Sequence, residues 1–434
     1  MKLKDLNFIF KKNRGKNMKK YIISLAILVV SIIGISFYVY SVNSNKTYEN
    51  KEIKVGNNTL SMMLETSAGS GEYKETTSST WPMEGYVFNE NLSKCEKGST
   101  VKWNANKNTV DVNSNVSDKC YVYFDALRYD QSCNDNTLSC YIAKQYTGTQ
   151  GDNNLYFHDN TLTGGANDNS YRYSGSSDTT NNFVCFGYDS TDGTCPTDNL
   201  YRIIGIFDDQ VKLIKYDYPA NNFLGNDGDY YSVINSSAFS SYKGNLSTID
   251  VYFWNISTGT NTWSESQLNT VNLNTNYLNN LGEPWLNKIA NHTWKVEGNT
   301  SANIENENVT NVYKNEIINQ SANTTFSAKV GLMYISDYGY AAAPSAWSTT
   351  LGSFNSSTIT SVNWMFVGAW EWTILRRSDN SNCVFFINST GEVSNNNVTD
   401  DFFGAHAVRP VFYLNSNVTY VSGNGTQSSP IIIK

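Results

Sequence analysis

Residues 21–40, YIISLAILVVSIIGISFYVY, contain no charged side chain. As a helix, twenty such residues rise about 30 Å, enough to cross the hydrocarbon core of a bilayer. Beyond them the apolar positions come in short runs separated by Asn, Ser and Gly, which is the punctuation of strands. The runs at 60–64 (LSMML), 85–88 (GYVF), 100–103 (TVKW) and 120–124 (CYVYF) predict a small β-domain over 55–126. A hairpin is predicted where LYRIIGIF (200–207) and VKLIKY (211–216) flank Asp208-Asp209, and further strands at 329–335, 370–375, 383–387 and 408–414. Helical spacing is confined to 137–146, 264–281 and 285–292. The fold class expected is mainly β with some α.

Lys11, Lys12, Arg14, Lys16, Lys19 and Lys20 precede the apolar run. By the positive-inside tendency, residues 1–20 form a basic cytoplasmic segment and 21–40 a transmembrane anchor, with everything after Tyr40 outside the cell. The alternative is a signal peptide starting at Met18, cleaved near Val42 and Ser44, which would release the protein as a secreted one. The anchor is preferred because the run is long for a signal peptide and no Ala-x-Ala follows it. Residues 41–54 are polar and aperiodic, a stalk. After residue 20 the chain has 24 of the 32 Lys and Arg and 38 of the 39 Asp and Glu, a charge of −14. That acidity excludes nucleic acid as a partner, since phosphate binding needs Lys and Arg.

Seven cysteines suit an exported chain. Their spacing suggests local disulfides, Cys95 with Cys120, Cys133 with Cys140 and Cys185 with Cys195, leaving Cys383; other connectivities stay open. The first pair would staple the 55–126 domain, and the other two make 127–195 a disulfide-bearing connector. Zinc finds no C-x-x-C motif, and there are three histidines in all.

The ordered set LYRIIGIF, Trp285-Leu-Asn-Lys-Ile, Gly331-Leu-Met-Tyr-Ile-Ser, Trp370-Glu-Trp-Thr-Ile-Leu-Arg-Arg-Ser and Val408-Arg-Pro-Val-Phe-Tyr-Leu resembles a bacterial domain of unknown function. That domain is similar to the C-type-lectin-like fold shared with formylglycine-generating enzymes, and the exported chain resembles uncharacterised surface proteins of gut Firmicutes. The resemblance implies a C-type-lectin-like α+β domain over 196–434. It also implies a surface protein or adhesin that binds an extracellular glycan or protein ligand through its loops. Such binding would draw on GEVSNNNVTDDFFGAH (391–406), in which Asn395, Asn396, Asn397, Asp400, Asp401, Phe402 and Phe403 offer hydrogen-bonding groups and aromatic area. Trp364, Trp370 and Trp372 could add flat faces for sugar rings, although a tryptophan in a β-rich chain is more often core.

No catalytic residue is expected. A formylglycine-generating enzyme needs a pair of reactive cysteines, and only Cys383 follows Cys195 in this chain. The G-x-S-x-G and H-E-x-x-H motifs are absent, and His158, His292 and His406 each stand without a nucleophile nearby in sequence. No cofactor is implied, and calcium stays open without support: Asn226-Asp-Gly-Asp229 is oxygen-rich but lacks the twelve-residue loop, and Glu283-Pro284-Trp285 replaces the Asn of the Glu-Pro-Asn lectin motif. An enzyme acting on glycans or cell wall, and a purely structural envelope protein, remain the alternatives.

Overall fold

The computed structural model describes residues 53–55, 58–76, 84–107, 109–114, 116–189, 194–320, 324–399 and 405–434. The segments expected as cytoplasmic (1–20) and as anchor (21–40), and most of the expected stalk, lie outside these residues. Among the described residues no helix is long and apolar enough to cross a membrane. The protein is mainly β with some α, in several sheets. Contacts divide it after Ala126 into two units, the second of which also takes in Ala68–Ser70.

The first unit contains β1 (Ile53–Val55), β2 (Asn58–Glu65), β3 (Tyr73–Thr76), β4 (Tyr86–Cys95), β5 (Thr100–Asn104), β6 (Thr109–Asn113) and β7 (Lys119–Ala126). Strand β7 joins β2 in parallel and β4 antiparallel, while β5 and β6 form a separate hairpin. Alternation explains the packing: Cys120, Val122 and Phe124 of β7 point inward with Leu60 and Met62 of β2 and Val101 of β5. Cys95 faces Cys120 in register, and the two are disulfide-bonded. This core is small, so the disulfide is a substantial part of what holds the unit.

In the second unit, β8 (Leu155–Phe157), β9 (Tyr171–Tyr173) and β10 (Phe183–Cys185) join the predicted hairpin, β11 (Leu200–Phe207) with β12 (Gln210–Lys215). Residues 127–195 are therefore built into the main sheet and are more than a connector. Asp208 turns the hairpin with φ +56°, a conformation that Asp tolerates better than most residues. Strands β13 (Tyr230–Asn235) and β14 (Thr248–Tyr252) pair with each other, as do β15 (His292–Lys295) and β16 (Thr325–Ala328). The seven-stranded sheet is completed by β17 (Val330–Gly331) and β21 (Val411–Tyr413). A three-stranded sheet holds β18 (Glu371–Arg376), β19 (Cys383–Ile387) and β20 (Val393–Asn397). After them come β21 (Val411–Tyr413), β22 (Tyr420–Ser422) and β23 (Ile432–Ile433).

The helices fall near their expected places but are shorter. Thr137 caps Leu138–Ala143 by accepting from the Cys140 N–H. Leu268–Tyr277 is a π-helix that continues as Leu278–Leu281. The helix expected at 285–292 stops at Lys288, because His292 is already paired with Ala328 in β15. The strand expected at 329–335 ends at Gly331, and a helix, Ile335–Ala341, starts where Glu316 accepts the N–H groups of Ile335 and Ser336.

Disulfides Cys133–Cys140 and Cys185–Cys195 complete the set of three, in the local pairs that the spacing suggested. Many asparagines work as brackets between segments. Asn261 Nδ2 reaches the carbonyls of Arg377, Asn380 and Cys383, and Asn272 Nδ2 reaches those of Leu224 and Asp227. Asn274 and Asn280 likewise donate to Val330 and Asn222. Such amides satisfy loop carbonyls that would otherwise need water.

Candidate functional site

The expected loop site is only partly described, since Asp400, Asp401, Phe402 and Phe403 lie outside the described residues. Asn395, Asn396 and Asn397 sit on β20 and are half-buried. Asn395 is engaged on both sides, accepting from Arg377 Nη1 at 2.9 Å and donating to Glu305 Oε1 at 2.7 Å. Asn397 holds Thr399. Trp372 offers no face to solvent: it is fully buried, stacks on His406 at 4.0 Å and donates its indole N–H to the Tyr252 carbonyl. Trp370 is half-buried against Phe239 and His406.

A hollow lies elsewhere in the second unit. A cavity of about 390 Å³ is walled by the turn Ser177–Thr180, by Phe183 and Tyr216, by Lys243, by Trp364 with Phe366, and by Thr426 with Gln427. Two glycines bring its walls together. Gly368, at φ +87°, lies so close to the Ser241 carbonyl that a Cβ would stand 1.9 Å from its oxygen, and this approach lets the Lys243 N–H donate to Val367. Gly425, at φ +79°, leaves 2.3 Å between such a Cβ and the Asn181 oxygen, which seats Thr426 and Gln427 beside the 177–183 wall.

Arg202 of β11 is buried against four of the lining residues, Ser177, Thr180, Phe183 and Trp364, without itself lining the cavity. Its guanidinium lies between the rings of Phe183 and Trp364, 4.2 and 4.9 Å from their centroids. Nε donates to Asn182 Oδ1, Nη1 to Ser177 Oγ and Nη2 to the Thr180 carbonyl, at 2.6 to 2.8 Å. These partners are neutral. Burial pushes Arg202 down to about 9, against the pull of Tyr216. A guanidinium holds its proton far more firmly than other bases, so Arg202 is a buried cation and its burial carries a cost. At the rim Lys243 is pushed down by burial and Asp178 is exposed.

The carboxyl and imidazole groups moved far from their ordinary range are outside this cavity. Glu316 is pushed up to about 7 by burial, and His158 and His406 are pushed down to about 3 by the same cause. None of these lines it. Asp229 of the candidate calcium segment is spent on the N–H groups of Ile256 and Leu268, and Asp227 accepts from Asn276. Among the described residues no three His, Cys, Asp or Glu gather as a metal site. Cys383 is half-buried, and burial pushes its thiol up.

Sequence reasoning passed over this cavity. Ser177 and Asn181 share one loop, and Lys243 and Gln427 come from two others, with no common spacing. In comparisons with family models, curated proteins and solved structures, nothing matches the chain.

Proposed function

We propose that the chain is a membrane-anchored extracellular surface protein, held by residues 21–40, whose 127–434 unit binds a glycan ligand without chemistry. The C-type-lectin-like resemblance of 196–434 belongs to the same proposal. One observation carries it: the 390 Å³ cavity combines aromatic walls with convergent amide, hydroxyl and amine groups. Its volume falls in the range of roughly 300–1,000 Å³ typical of small-ligand sites, which usually join apolar walls to a few polar groups. The strongly perturbed carboxyl and imidazole groups are located elsewhere, which favours binding over acid–base catalysis.

The full chain, with its disulfides formed, is tested on glycan, mucin and cell-wall arrays. Saturable binding that weakens about tenfold in Lys243→Ala or Gln427→Ala, the loss of one good hydrogen bond, supports the cavity as the site. Weakening by changes at Asn395, Asn396 and Asn397 instead would move the site to the β20 face. Binding to none of the arrays rejects a glycan ligand.

A further inference from the structure

Lys212 and Asp337 are 125 positions apart in sequence, and Lys212 Nζ lies 2.6 Å from Asp337 Oδ2. Both side chains are at most 2% exposed. Each is where it is for a reason of the fold. Strand β12 runs between β11 and β21, so Lys212 is turned inward opposite Tyr413. Asp337 is in the first turn of Ile335–Ala341, where its Oδ2 also accepts the Tyr334 N–H at 2.9 Å. The rings of Phe207, Trp294, Tyr334 and Tyr413 surround the amine, with centroids 4.5 to 5.8 Å from Nζ. A buried carboxyl, Glu316, is held at the same helix start by the N–H groups of Ile335 and Ser336.

This pair differs from the buried ion pair Arg409–Glu371 in one chemical respect. A guanidinium does not give up its proton to become a nucleophile, whereas a desolvated lysine amine does. Lys215, the other buried lysine among the described residues, donates to the Asp198 carbonyl, which is not an acyl group it can capture. Lys212 alone of the two faces a carboxyl group.

We propose that Lys212 and Asp337 condense to an intramolecular amide, with Glu316 carrying the proton. The step begins as the Lys212 proton passes to the Asp337 carboxyl, which Nζ touches at 2.6 Å, and comes to rest on Oδ1, leaving a neutral amine beside a neutral acid. The Nζ lone pair adds to Cγ of Asp337, and the Tyr334 N–H holds the oxygen charge that develops on Oδ2. Glu316 accepts a proton from the nitrogen and returns it to the departing Oδ1 hydroxyl. A C–N bond forms, a C–O bond breaks, one water leaves and nothing is oxidised or reduced.

The physical setting favours each step. Burial is the largest influence on Lys212 and pushes its pKa down, with Arg172 adding to the effect while Asp337 and Glu316 oppose it. Burial also lifts Glu316 to about 7, where it both takes and gives a proton near neutrality. The fixed contact supplies the high effective concentration that condensation in water lacks. The product replaces two desolvated charges with a neutral group, removing a standing cost of the interior.

Intact mass of the full-length chain, reduced and denatured, reads the bond directly. The expected mass is that of the sequence less one water, with a protease-released peptide that joins the segment containing Lys212 to the one containing Asp337. Lys212→Arg and Asp337→Ala should each restore the full mass. Glu316→Gln, which keeps an acceptor for the Ile335 and Ser336 N–H groups, should fold and remain unlinked or link many times more slowly. Wild-type protein at full sequence mass, with no joined peptide, overturns the proposal even if every variant fails to fold. Loss of water that persists in Lys212→Arg overturns it as well. Linkage at an unchanged rate in Glu316→Gln overturns the proton-carrying role.

Discussion

Arg409 grips Glu371 through two N–H···O bonds of 2.8 Å, and Arg409 also donates to the Met365 carbonyl. Both side chains are nearly inaccessible, and Tyr218 covers the carboxylate from the other side. Removing one partner strands a buried charge. Glu371→Ala should therefore cost about 3–5 kcal/mol of stability, whereas a combined Glu371→Leu and Arg409→Met replacement should cost much less than the sum of the single changes. Chemical denaturation of the three variants checks this, and additivity would contradict it.

Acid should weaken the second unit through its histidines. His158 and His406 fall to about 3 in the fold from 6.5, so between those values the unfolded chain binds more protons and stability rises with pH. Glu316 acts in the opposite sense, because its rise from 4.5 to about 7 makes the folded chain the better proton binder in that window. His292, brought down to about 4 by burial, adds to the histidine effect between pH 4 and 6.5. His406→Phe should flatten that slope and raise stability at pH 5. Denaturant midpoints across this range give the answer.

Gly368 should tolerate no side chain. Alanine there meets both the +87° backbone angle and the Ser241 carbonyl, so Gly368→Ala should lose about 2 kcal/mol or more and shift the wall that carries Lys243. Ligand binding and thermal unfolding should fall together in this variant. Lys243→Ala should lower binding with the melting temperature unchanged within about 2 °C, as a surface change does.

Reduction should act on the first unit. Cys95–Cys120 links adjacent strands over a six-residue core, and its loss in Cys95→Ser with Cys120→Ser should cost about 2–4 kcal/mol. Hydrogen exchange in β4 and β7 should rise sharply while β11 and β12 stay protected.

Strands with a clear apolar rhythm were legible in the sequence: β11, β12 and β19 sit where their runs predict, and cysteines close in sequence are bonded. Less was visible where tertiary partners overrule local pattern. The helix Ile335–Ala341 interrupts a strand-like run because Glu316 and Asp337 satisfy its first N–H groups, a condition set by residues distant in sequence or by side-chain orientation. The cavity was hidden for the same reason, being assembled from loops that share no period. Lysines in LIK and VKL triplets look solvent-facing, yet β12 is covered on both faces and keeps them inside. The Asn richness, read as surface polarity, proved to be partly internal.

Those internal amides also set how the protein ages. Asn261 holds three carbonyl oxygens with one NH₂ group, and Asn272 spans two more. Hydrolysis of such an amide to the acid would replace a donor by a negative oxygen pointing at other oxygens, turning a tie into a repulsion. Each deamidation at these positions would be a small, irreversible loosening written into the chain.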